Sequence, residues 1–177
     1  FVKKTKTEES KKLPVRHNLL RKDLRGKCFA LLAALKTNEV YSLVRGIDAA
    51  ANEMDAGPEV FAETYRLIRK AGIKHFTYHA GEDFRHLISG LRAIVESIDF
   101  LGLYPEDRLG HCAALGIDPY LWRNGIHNTC IISQGEWLDD LVFAWHLLGQ
   151  KEPASETLML RTLESKIMEL SLKVYGE

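Results

Sequence analysis

The strongest constraint on the fold is a repeat of short apolar runs, each ending on a residue that can ligate a metal or move a proton. Val40 to Asp48, Ile73 to His79 and Asp107 to His111 read as strands, and their last residues recur roughly every 30 residues. A strand, a turn, a helix and a return turn need about that length. Helical patterns fill the intervals. Gly57-Pro58 opens a helix carrying Phe61, Tyr65 and Ile68 and stopping at Gly72. Asp83 reads as the cap of a second helix, with Leu87, Leu91, Ile94, Val95, Ile98 and Leu101 as its stripe and Gly102 as its stop. Gly90, inside that stripe, is expected to cost about 1 kcal/mol relative to alanine.

The chain is therefore expected to be α/β, with consecutive parallel βα units. Right-handed crossovers place successive strand ends on one rim, where α/β barrels and open sheets gather their chemistry. Asp48, His79, Glu82 and His111 become predicted neighbours by topology. Alternation along the second strand puts Ile73, His75, Thr77 and His79 on one face and Lys74, Phe76 and Tyr78 on the other.

Flanking segments carry less chemistry. Residues 1–14, with Lys3, Lys4, Lys6, Lys11 and Lys12 among Glu8 and Glu9, read as a solvated tail or loop. Residues 15–135 form the βα body, starting with a helix from His17 to Lys36. Ile126 to Ser133 reads as a further short strand or a turn. Residues 136–177 read as helices: a core-facing one with Leu138, Leu141, Val142, Trp145 and Leu148, then one capped by Ser155 with Leu160, Leu163, Ile167, Leu170 and Val174 in a stripe.

Partner classes follow from charge. Lys plus Arg and Asp plus Glu both total 24, so the formal net charge is +0 and no whole-chain field favours nucleic acid or a membrane surface. Cys28, Cys112 and Cys130 form no CxxC pattern, which points to a reducing cytoplasm rather than a disulfide framework. No apolar run approaches the roughly 18 residues of a membrane span. Phe1 in place of Met suggests a piece of a longer chain.

The rim residues suggest a hydrolytic centre. A neutral imidazole is a good zinc ligand, and catalytic zinc uses about three protein ligands while holding a water. His79 suits the ligand, Glu82 a proton donor, and His111 a base acting on water. Each has a plainer reading: a hydrogen-bonded histidine, or a glutamate balancing a helix dipole. His17, His75, His86, His127 and His146 keep that plainer reading.

His79-Ala80-Gly81-Glu82 resembles the HAGE motif of the adenosine deaminase family, and Asp107-Arg108-Leu109-Gly110-His111 resembles its RIGHG segment. Gly46 to Glu53 is similar to that family's GxDLAGDE strand. The resemblance spans about residues 15 to 115. It implies part of a zinc-dependent (β/α)8 barrel that converts an adenine nucleoside or nucleotide to the inosine form and ammonia. Carried over by residue, His79 would ligate zinc, Glu82 would protonate purine N1, and His111 would act on the attacking water. Asp48 and Ala51 would lie against substrate. The run from Arg16 to Trp122 also resembles the deaminase domain of large bacterial anti-phage defence proteins, which implies a homo-oligomer.

The departures are specific. No H-x-H pair and no late S-x-D-D-like segment supply the family's other zinc ligands, so the chain alone is expected to hold zinc poorly and not to turn over. Ala51 and Cys112 stand where the family has glycine. A complete barrel needs roughly 250 residues. The alternatives are a non-catalytic deaminase-like binding or assembly module, and an amidohydrolase-like barrel with another substrate.

Overall fold

The computed structural model describes residues 1–3, 16–150 and 158–176. Three strands form one parallel sheet in the order β1 (Gly46–Ala49), β2 (His75–Ala80), β3 (Arg108–His111). Asp48 lies opposite Thr77, and His79 lies opposite Gly110. The architecture is α/β with a small open sheet.

Seven helices surround it among the described residues: α1 (Asn18–Ala34), α2 (Asn38–Leu43), α3 (Ala62–Lys70), α4 (Leu87–Leu101), α5 (Pro119–Gly125), α6 (Gln134–Gly149) and α7 (Leu158–Tyr175). The alternation holds from His75 on: Phe76, Tyr78 and Ala80 are buried, while His75 is exposed and Thr77 and His79 are half-buried. It fails at Ile73, which is buried, and Lys74, which is exposed, because both precede the strand and are not bound by its pleat. Burying Phe76 and Tyr78 against Phe61 and Tyr65 of the next layer creates tilted and edge-on aromatic pairs at 5.4–6.2 Å. The Tyr65 hydroxyl donates to the Thr77 carbonyl at 2.7 Å, so this phenol is satisfied within the apolar layer. Leu20, Leu24 and Cys28 of α1, with Ile94 and Leu101 of α4, complete the core.

Several expected boundaries shift, for physical reasons. Residues 40–43 of the expected first strand lie in α2, because they fall short of the first residue of β2 and no strand pairs with them among the described residues. Local bonds such as Tyr41 N–H to the Thr37 carbonyl, 3.2 Å, satisfy their backbone instead. Pro58 opens a single 3-10 turn, Pro58–Val60, before α3 begins at Ala62. Asp83 is not a cap: α4 starts at Leu87, and His86 Nδ1 accepts from the Ile88 N–H at 3.2 Å.

Gly90 is a requirement rather than a weakness, since a Cβ there would come within 2.6 Å of Phe84 and 2.8 Å of Ala114. Of the short strand or turn expected over 126–133, the structure has the turn, at 126–128, and no strand. The expected cap Ser155 and most of the expected tail lie outside the described residues.

Lys3, expected in a solvated tail, is fully buried. Its N–H donates to the Ala50 carbonyl at 2.8 Å and the Ala50 N–H donates to the Phe1 carbonyl at 3.0 Å, so residues 1–3 lie parallel along the open edge of β1. Unpaired edge groups draw in a neighbouring strand, and that pairing outweighs the polarity of the sequence around it.

The C-terminal helices behave differently from the core. α6 buries Leu138 and Leu141, but Val142 and Trp145 are exposed, so it faces the core less than its stripe suggests. Asp140 anchors it, accepting from Ser89 at 2.6 Å and from Arg92 at 2.8 Å on α4. In α7 the expected stripe is kept: Leu160 is buried, Leu163, Ile167, Leu170 and Val174 are half-buried, and Arg161, Glu164, Lys166 and Glu169 are exposed. No helix among the described residues is long and apolar enough to cross a membrane.

Candidate functional site

The carboxyl ends of the strands converge as the βα period demands, and they bring the expected residues together in two pairs. His79 Nδ1 lies 3.3 Å from Asp48 Oδ1, and His111 Nε2 lies 3.1 Å from Glu82 Oε2. The two imidazoles stand 5.2 Å apart between ring centres, tilted by 47°. They line, with Ala51, Glu53, Glu82 and Asp83, a cleft of about 190 Å³. A larger cleft of about 570 Å³ shares Glu53 and Asp83 with it. Ligand pockets generally measure about 300–1,000 Å³, so a purine-sized molecule would need both.

Local chemistry explains each placement. Gly110 is opposite His79 in the sheet, and a Cβ on it would collide with the His79 ring. Glycine before the third strand's last residue therefore makes room for the imidazole of the second. Gly81 has φ +75, a left-handed conformation that glycine adopts without penalty. Through it the chain turns sharply from β2 and presents Glu82 to His111.

Asp48 Oδ1 is buried and has no well-aligned hydrogen bond, with His79 Nδ1 as its basic neighbour. An imidazole held by a carboxylate on one nitrogen offers the other to a metal. That much suits His79 as a ligand. Yet no group of three His, Cys, Asp or Glu among the described residues could hold a metal ion, since the donors form two separate pairs. The described residues do not make a complete zinc site.

Ala51, beside this cleft, has φ 86, and His111 and Cys112 have φ 61 and 53. Non-glycine residues in this region cost of order 1–3 kcal/mol and collect at functional sites. Two of these three positions, Ala51 and Cys112, are the ones where the resemblance leads one to expect glycine.

Two important contributors escaped the sequence reading. Glu53 accepts backbone N–H groups from Gly81 at 2.7 Å, from Glu82 at 2.6 Å and from Asp83. Its place at the end of the Gly46-to-Glu53 pattern was the available signal, but nothing in that pattern names its partner. Lys3 Nζ donates to the His79 carbonyl at 2.6 Å and lies 3.8 Å from the centre of the Tyr78 ring. Burial lowers its pKa to about 8, against the opposing pull of Glu53 and Asp48. A lysine-rich run gave no hint of that burial. His86, by contrast, keeps its plainer reading, packed edge-on against Trp122 and Trp137 at 4.9 and 5.4 Å.

No family model matches the chain. An adenosine deaminase from Clostridium kluyveri is 42% identical over 69 residues, which are 38% of this chain and 17% of that protein. Over that segment the chain is similar to part of an enzyme named for deaminating adenosine, and it combines that similarity with a mixed α/β fold and an open parallel sheet.

Proposed function

We propose that this chain supplies part of the catalytic rim of a hydrolase that removes the 6-amino group of an adenine nucleoside or nucleotide. The observation that carries the reading is the Glu82–His111 pair at 3.1 Å, beside His79 on the same cleft. Glu82 donates a proton to purine N1, which makes C6 electrophilic. His111 takes a proton from the attacking water as the C6–O bond forms and returns it to the amino group, so that the C6–N bond breaks with ammonia as the leaving group. The C6 hydroxyl proton returns to Glu82 and leaves C6=O. Adenosine and water thus become inosine and ammonia with no redox change. Asp48 orients His79, and Ala51 lies where the substrate would pass.

On this reading the three-stranded sheet is a segment of a (β/α)8 barrel, and zinc enters only if the whole protein adds donors to His79. The neutral charge balance fits a small substrate better than a nucleic acid. Exposed Val142, Leu147, Met168 and Leu172 support the expectation that α6 and α7 serve an interface, including one between copies.

The test uses the full-length protein, following the ultraviolet change and ammonia release from adenosine and from ATP, with metal content measured in parallel. Glu82→Gln is expected to lower turnover by about 1,000-fold while leaving the fold and any bound metal in place. Equal rates in parent and variant would overturn the role of Glu82. A second reading is a non-catalytic module that binds a purine or an assembly partner; no group of three metal donors is found among the described residues, and the reading follows from that only if the rest of the protein adds none. It predicts binding without ammonia release. Trial hydrolysis of unrelated amines addresses a barrel with another substrate.

A further inference from the structure

We infer that Glu53 is a positioning residue that holds the Gly81–Asp83 turn in the shape that points Glu82 at His111. Three consecutive backbone N–H groups converge on its carboxylate: Gly81 on Oε2, and Glu82 and Asp83 on Oε1. Such a row of N–H groups, set by a left-handed residue at Gly81, forms a concavity of partial positive charge that attracts an anion. Here the anion is built in.

Both oxygens of Glu53 are engaged by these N–H groups, and the carboxylate lines the cleft. What it supplies is geometry. Glycine at position 81 leaves the turn many conformations, and Gly81 itself says nothing about which one is kept. Glu53 selects one, from an element 28 residues away in sequence. Lys3 grips the strand two residues before Gly81, donating to the His79 carbonyl at 2.6 Å. The turn is thus held by a cation on His79, the second-last residue of β2, and by a carboxylate on residues 81–83. Between them the Glu82 side chain reaches His111 at 3.1 Å, although Glu82 and His111 are themselves exposed and have little packing to fix them.

The kinetic side of this inference rests on the deaminase reading, and its structural side does not. The experiment compares full-length parent, Glu53→Asp and Glu53→Gln by two measurements: amide hydrogen exchange across residues 76–84, and kcat and KM for adenosine or ATP. Glutamine keeps the length but turns an NH2 toward the N–H donors. Aspartate keeps the charge but falls short by one methylene.

In E53Q, exchange at 81–83 is expected to rise by about tenfold or more while 76–79 stays unchanged, as the loss of charge-assisted hydrogen bonds at one turn requires. Turnover is expected to drop by about 100-fold with KM held within about threefold, because a displaced proton donor costs rate rather than substrate affinity. E53D should fall between parent and E53Q on both measures.

Unchanged exchange at 81–83 would overturn the inference whatever the kinetics. So would a raised KM at parental kcat, which would make Glu53 a substrate contact. A parent without turnover whose turn nevertheless loosens in E53Q would overturn the deaminase reading and uphold the turn-holding role. Should E53Q fail to fold, as judged by circular dichroism, E53D is read by the same two criteria.

Discussion

The turns after β2 and β3 reach the same rim by opposite means. After β2 the left-handed position is Gly81, at φ +75, and Glu53 ties down the following N–H groups. After β3 the left-handed positions are His111 and Cys112, at φ 61 and 53, with no glycine to relieve them. That second turn is held from the first, since the Cys112 N–H donates to the Ala80 carbonyl at 3.0 Å and the Ala114 N–H donates to the Gly81 carbonyl at 2.9 Å. A relaxed turn thus serves as the template for a strained one. The difference teaches that the two catalytic candidates, Glu82 and His111, are coupled through backbone hydrogen bonds as well as through their side chains.

The most damaging way to break this arrangement is at the template. Gly81→Ala would force a Cβ into a left-handed backbone and within 2.5 Å of Ile94 Cδ1, in a buried position. A loss of about 3 kcal/mol is expected in urea unfolding, with the His111 turn loosened too. Survival of parental stability would show that the β3 turn does not depend on this one.

Relieving the strained side should move stability in the other direction. Cys112→Gly is expected to stabilise by about 1 kcal/mol by the same assay, and Ala51→Gly, at φ 86, by a similar or smaller amount once the added freedom of the unfolded chain is counted. No gain in either variant would mean that the surroundings already compensate the positive φ.

The smallest effect is a pH dependence at the entrance to α4. His86 must be neutral to accept the Ile88 N–H on Nδ1, and burial lowers its pKa below the usual 6.5, outweighing the pull of Asp140. A lowered folded pKa means that the unfolded chain binds the proton more readily. Stability from this group is therefore present above about pH 6.5 and is lost as pH falls through the lowered folded value. His86→Asn, which keeps a capping acceptor without a titrating ring, should flatten that acid limb in thermal melts and leave the rim turns as they are.

Much of the site was legible before any coordinates. Strand period and right-handed crossovers brought Asp48, His79, Glu82 and His111 to one rim, and they meet there as two pairs. Those signals are local: a turn needs a residue that accepts its φ, and alternation assigns faces once one face is buried. Expectations failed where partners decide. Val40 and Tyr41 have strand propensity but no strand to pair with, and Asp83 could cap only a helix that begins nearer to it.

The amino-acid order by itself determined the βα rhythm, the core face of β2 and the residues available for chemistry, because each follows from spacing along one chain segment. Tertiary structure alone decided which groups meet across it. It buried Lys3 against Tyr78, and it turned Glu53 into the clamp of a turn 28 residues away. Made of neutral-looking pattern in the sequence, these contacts exist because a buried charge or an unpaired N–H is costly until a distant partner reaches it, and only the folded chain brings that partner within hydrogen-bonding distance.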